Sequence, residues 1–237
     1  MRLTIGLALA AFFAMAAPSL AEAPTSRAPA STSGDKPGVF DYYALVLSWT
    51  PTYCAELDPG RADPQCDARG RPFAFVLHGL WPQYARGWPE RCQTANGGFV
   101  PRAVADRMRD IMPNAQLVFH EYRRHGTCSG LAPDAYFDLS RKLFEKVTIP
   151  PAFRSVVGDR MTIAPAALEA AFIAANPGLS ADGIAVSCGG TGDRLKDVRI
   201  CFNKSGAFRR CGENENQARL CRAARVFVPP VRAGAGR

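Results

Sequence analysis

Eight cysteines constrain this chain more than any other feature. Cys54, Cys66, Cys92, Cys128, Cys188, Cys201, Cys211 and Cys221 all lie in the middle and late parts of the 237 residues. Their count is even, with no CxxC pair and no regular Cys/His spacing of the kind structural zinc sites use. Four disulfides are therefore expected, which requires an oxidising compartment. Sequence alone leaves roughly a hundred pairings open.

The N-terminus agrees with that compartment. Arg2 precedes the apolar run "LTIGLALAAFFAMAA", and "SLA" stands just before Glu22. This reads as a secretory signal peptide over residues 1–21. Residues 22–38 are rich in Pro, Ala, Ser and Thr and are expected to form a flexible linker. One domain is expected over 39–228, with a loose tail over 229–237. No later run is long and apolar enough for a membrane span, so the mature chain is expected to be periplasmic or secreted, free of the membrane. "NKS" at Asn203 matches a glycosylation acceptor, which matters only in a eukaryotic secretory route.

Patterning points to an α+β fold with a central, mostly antiparallel sheet flanked by helices. "FDYYALVLSW" alternates, with Tyr43, Leu45, Leu47 and Trp49 on one face of a strand. "FAFVLH" reads as a second strand, apolar enough to be central, ending on His78. A helix is expected from Pro101 to Pro113, with Val104, Met108 and Ile111 on one side. "LVFHEYRRH" suits a short helix closed by Gly126. "PDAYFDLSRKLFEKV" and "APAALEAAFIAAN" carry helical spacing, and "GIAVSC", "DVRICF" and "AFRRC" read as short strands.

The chain has three histidines and a formal net charge of +8, a balance that favours polyanionic partners. His120 and His125 share the stretch "HEYRRH". On a helix, with His120 at zero, Arg124 falls at about 40°, Glu121 at about 100° and His125 at about 140°. Two imidazoles, a carboxylate and a guanidinium then share one arc. The spacing H-E-x-x-x-H differs from the H-E-x-x-H of zinc peptidases and spreads the imidazoles too far for one metal. No G-x-S-x-G nucleophile turn is present. Two imidazoles and a cation without metal suit transesterification of RNA. One neutral imidazole takes the 2′-hydroxyl proton, one imidazolium protonates the leaving oxygen, and a cation holds the phosphoryl oxygens. His78 can complete the set if its strand faces the helix.

"HGLWPQY" (78–84) and "HEYRRHGTC" (120–128) resemble the two active-site segments of the ribonuclease T2 family, exported acid endoribonucleases of transferase type. The usual forms are HGLWP and HEWxKHGTC. The first matches throughout, and the second matches at His120, Glu121, His125, Gly126, Thr127 and Cys128. The resemblance extends over residues 40 to about 226, and the composition leans towards a bacterial member. It implies a single-stranded RNA substrate, low base specificity, 2′,3′-cyclic and then 3′-phosphate ends, and no cofactor or metal. It gives His125 the role of general base and His78 that of general acid. His120 would bind phosphate, while Glu121 and Arg124 would place and stabilise the phosphoryl group. Trp81, Gln83 and Trp49 are the expected substrate-binding residues. Arg124 stands where lysine is usual and Tyr122 where tryptophan is usual. The resemblance also implies the pairs Cys92–Cys128, Cys188–Cys221, Cys201–Cys211 and Cys54–Cys66. A monomer is expected. Two rival readings are a catalytically silent RNA binder and a metal-dependent nuclease or phosphatase.

Overall fold

A computed structural model describes residues 35–67, 71–154 and 161–231; the expected signal peptide, most of the linker and the end of the tail lie outside them. Strand β1 (Tyr42–Trp49) leads directly into helix α1 (Thr50–Glu56), which Pro51 opens. Proline fixes φ near the helical value and lacks the N–H that a first turn leaves unpaired. Strand β2 (Phe75–Gln83) follows, then helices α2 (Arg102–Arg107), α3 (Ala115–Arg124) and α4 (Pro133–Lys146). The later half holds β3 (Met161–Ile163), α5 (Pro165–Ala175), β4 (Ile184–Gly189), β5 (Arg194–Phe202), α6 (Gln217–Leu220) and β6 (Val226–Val228).

The six strands form one mixed sheet in the order β2-β1-β5-β6-β3, with β4 also paired to β5. Every pairing is antiparallel except the short β5–β6 contact at Arg194 and Phe227. This is the expected α+β architecture. The sheet differs from expectation at β2, which ends the order rather than sitting centrally. Its apolar run has another cause. Phe75, Val76, Leu77 and Leu80 are buried, and the Leu77 N–H donates to the Ile111 carbonyl at 2.9 Å. The turn after α2 thus covers part of the open edge, and a covered edge strand reads like a central one.

The residues Tyr43, Leu45, Leu47 and Trp49 of β1 join Leu77, Leu80, Val198 and Ile200 in the main core. Helix α4 lays Tyr136, Phe137 and Leu143 onto it, and the Tyr136 hydroxyl donates to the Leu80 carbonyl at 2.7 Å. Tyr122 of α3 packs against both Tyr136 and Phe137. Tyrosine thus fills the position where tryptophan was the usual residue, and its hydroxyl donates to the Leu131 carbonyl.

Three local expectations are corrected. Helix α2 ends at Arg107, yet Met108, Ile111 and Met112 stay buried because the turn that follows packs into the core at the edge of β2. Segment "AFRRC" forms an isolated bridge, Phe202 with Phe208, rather than a strand. Gly126 is not a left-handed cap: α3 stops at Arg124, His125 caps it, and the left-handed residue is Gly130. Gly126 is needed for space, since a Cβ there would stand 2.4 Å from the Tyr122 ring. All four disulfides form, as Cys54–Cys66, Cys92–Cys128, Cys188–Cys221 and Cys201–Cys211.

Candidate active site

Strand β2 does not end at His78; it bulges there. Val46 pairs with Gly79 and Leu47 with Leu77, so His78 is the extra residue on β2. A bulge re-aims a side chain without ending the strand. The ring of His78 is turned towards α3, where Nε2 lies 3.5 Å from Oε1 of Glu121. Its Nδ1 is 2.9 Å from Oγ of Ser48 on the neighbouring strand. His78 keeps 38% of its side-chain surface exposed, whereas Glu121 keeps 2%.

Glu121 is the hub. Its Oε2 accepts from the indole N–H of Trp81 at 2.6 Å. Gly79 makes this approach possible: a Cβ there would stand 2.3 Å from Oε2 of Glu121 and 2.6 Å from Nε1 of Trp81. Asn114 caps α3 by accepting from the Gln116 N–H, which fixes the helix that delivers the carboxylate. The Trp81 ring then lies between the two imidazoles. It meets His78 edge-on at 5.5 Å and stacks on His125 at 4.9 Å and 26°.

The two imidazoles are driven to opposite protonation states. Burial disfavours charge on His78, but its hydrogen bond to Glu121 and the charges of Glu121 and Asp197 more than offset this. Its pKa lies above the ordinary value. His125 is buried with its Nδ1 unpartnered among the described residues. Desolvation pushes it down to about 4, Arg124 adding in the same direction against the pull of Glu121. Burial resists ionisation of Glu121, yet contact with His78 and the Trp81 N–H keeps its pKa below the ordinary value.

The structure brings His78, Glu121 and His125 around Trp81. His120 is exposed on the same helix, near enough to weigh on His125 electrostatically. Arg124 is half-exposed, and its Nε bonds to Glu90 at 3.0 Å. Two expected substrate-binding residues are corrected. Trp49 is fully buried against Phe75, with its N–H donating to the Pro229 carbonyl, so it has no face for a base. Gln83 is 3% exposed and its carbonyl is occupied by Asn214.

Sequence reasoning missed Ser48, Asp197 and Arg199. Arg199 sits over the Trp81 ring at 5.2 Å and bonds to Asp197 at 3.0 Å. A signal was present. Ser48 is a polar residue in an otherwise apolar strand, and Asp197 and Arg199 alternate with buried Val198 and Ile200. Among the described residues, the one group with metal-ligand spacing is Cys201, Cys211 and Glu215, and its two sulfurs are bonded to each other. The histidines do not gather into such a group.

A histidine pair poised in opposite states over a buried carboxylate defines an acid–base site, and comparison with known proteins gives its class. Residues 40–211 match the model of the ribonuclease T2 family. A ribonuclease of Aeromonas hydrophila is 36% identical over 182 residues, 71% of this chain and 74% of that protein. Ribonuclease I of Escherichia coli K12 is 27% identical over 201 residues, 69% and 75% of the two chains. Ribonuclease MC1 from bitter gourd seeds shares the fold with a TM-score of 0.61 at 22% identity, over 79% of this chain and 99% of that one. RNase NT, solved with 5′-AMP, gives 0.60 at 23% over 81% and 99%.

The chain belongs to the ribonuclease T2 family. It is an RNA-cleaving enzyme. Its four disulfides fit an oxidising compartment, and no helix among the described residues is long and apolar enough to cross a membrane.

Proposed function

We propose that the chain is a periplasmic or secreted monomeric endoribonuclease that cleaves single-stranded RNA by transesterification without metal or cofactor. Its working unit is a domain over residues 39–228, released from a signal peptide over 1–21. The observation that carries the mechanism is the opposed bias of the two imidazoles: His125 neutral and His78 charged over the same weakly acidic range.

Neutral His125 takes the proton of the 2′-hydroxyl as its oxygen attacks the adjacent phosphorus. The new P–O2′ bond forms, the P–O5′ bond breaks, and His78 gives its proton to the leaving 5′-oxygen. Glu121 sustains the charge on His78 before the step. His120 and Arg124 bind the phosphoryl oxygens; Arg124 does so from its Glu90 pair, as a planar fork rather than a point charge. The product is a 2′,3′-cyclic phosphate, which water then opens to a 3′-phosphate with the two histidine roles exchanged. Trp81 offers its partly exposed indole as a base contact at the rim. Aromatic contact tolerates every base, which supports low specificity.

The test is incubation of the purified mature protein with RNA at pH 5 in excess EDTA, with product ends identified by mass spectrometry. Cyclic phosphate ends that are absent with His125→Ala support the reading. Cleavage that disappears with EDTA and returns with metal overturns it. No cleavage under either condition favours a silent RNA binder.

A further inference from the structure

A second basic feature lies away from the histidines. An open cleft of about 1300 Å³ runs between α1, the loop closed by Cys54–Cys66, the start of β5 and the end of β6. Arg61, Arg71, Arg194 and Arg225 line it, with Phe73 and Phe227 between them. None of the four guanidiniums is held by a described carboxylate. Arg71 donates to the Asp110 carbonyl and lies over the Phe73 ring at 4.7 Å. Arg225 donates to the Thr162 carbonyl. The Nε of Arg194 is buried with no hydrogen-bond partner among the described residues. Elsewhere, Arg86, Arg107, Arg109, Arg124, Arg141 and Arg199 each pair with an acid, while Arg154, Arg209 and Arg222 donate to backbone carbonyls; what sets the cleft apart is four guanidiniums gathered on one concave surface with two aromatic rings. Asp58, Asp67 and Asp193 also line the cleft, so its charge is set locally, guanidinium by guanidinium, rather than by a large excess.

Two strands lead from the active site towards the cleft. On β1, Ser48 touches His78, and Thr50, two residues on, lines the cleft. On β5, Ser187 pairs with Asp197 and Cys188 with Leu195, so Lys196 is an extra residue. That bulge keeps Leu195 in the core with Val198 and turns Arg194 to the face carrying Asp197 and Arg199. At about 3.3 Å per residue, Arg194 lies roughly 10 Å along the sheet from Asp197. Arg194 therefore shares a sheet face with Asp197 and Arg199, the residues beside His78 and Trp81.

Guanidiniums that no described carboxylate neutralises, interleaved with aromatic rings, suit a single-stranded sugar–phosphate backbone. We propose that the cleft is a remote binding site for the substrate RNA strand, engaging phosphates beyond the nucleotides at the scissile bond. The proposal rests on the transesterase reading only for its catalytic readout. Arg61 and Arg225 are exposed, outside the acid–base site, and make no described ion pair.

The test is the double variant Arg61→Ala/Arg225→Ala, measured on a dinucleoside monophosphate and on a long single-stranded oligonucleotide at low salt. KM for the long substrate should rise about tenfold, and the salt dependence should flatten by roughly one unit of slope per arginine. Kinetics on the dinucleoside, which ends before the cleft, should not change. Equal losses on both substrates, or no loss on either, overturn the proposal. Binding of a 2′-O-methyl oligonucleotide, which cannot be cleaved by this route, is read in parallel. Unchanged binding in the double variant overturns the cleft whatever the catalytic result, whereas weakened binding without wild-type cleavage overturns only the catalytic reading. Competition by heparin as strong as by RNA would make the cleft a general polyanion site and overturn its assignment to the substrate.

Discussion

Oε1 of Glu121 faces Nε2 of His78 at 3.5 Å, while the other oxygen of the same buried carboxylate holds Trp81. One side chain thus sets the charge of the proposed acid and the position of the ring between the two imidazoles. Glu121→Gln keeps the shape and an acceptor for Trp81 but removes the negative charge. His78 then loses its proton at lower pH, so the alkaline limb of the kcat/KM profile moves towards acid. Activity at pH 6 should fall roughly 10- to 100-fold, within the span general acid catalysis contributes. An alkaline limb that stays in place would separate Glu121 from the ionisation of His78.

Ser48 bonds to the far nitrogen of the same imidazole. Its hydroxyl accepts from Nδ1 of charged His78 and so fixes the ring with Nε2 facing Glu121. Ser48→Ala should lower kcat about tenfold with little change in KM, and Ser48→Thr should restore most of it. Thermal unfolding checks that the strand is intact. A change in KM alone would make Ser48 a substrate contact instead.

Gly79 lets the Glu121 carboxylate close onto β2. Gly79→Ala places a methyl against Oε2 of Glu121 and Nε1 of Trp81, inside contact distance. The expected cost is about 1–3 kcal/mol from overpacking. Loss of activity should exceed what the unfolded fraction explains. Near-normal kcat in a folded variant would contradict the tight approach.

The disulfides divide by what they hold. Cys128 lies three residues after His125, and its bridge to Cys92 spans 36 residues; Cys54–Cys66 spans 12. Loop-closure entropy gives roughly 3.8 and 2.8 kcal/mol respectively, a difference of about 1 kcal/mol. Replacing Cys92 and Cys128 with alanine should therefore lower both denaturation midpoint and dinucleoside cleavage more than replacing Cys54 and Cys66. Equal effects on cleavage in folded variants would count against the anchoring of His125.

Much of this site was legible because its signals are local. The apolar alternation of β1, the segments at 78–82 and 120–128 and the even cysteine count all lie within short windows. What was missed is non-local. The bulge at His78 exists only as a register against Val46 and Leu47, which no reading of "FAFVLH" alone contains. Gln83 is buried and its side-chain oxygen is held by Asn214, far along the chain. Trp49 was misassigned against a signal that was visible, since its alternation already put it with Leu45 and Leu47 on the core face. Strands β3 and β6, three residues each, are too short to carry a period.

With three histidines in the chain, the central claim is directly open to NMR. Imidazole resonances assigned with His78→Ala, His120→Ala and His125→Ala are followed from pH 3 to 9 in the free protein. The account predicts that His125 titrates near 4 and His78 above 6.5, so that base and acid are both correctly protonated between those values. A His125 that titrates above His78 would reverse the bias on which the mechanism rests and contradict it.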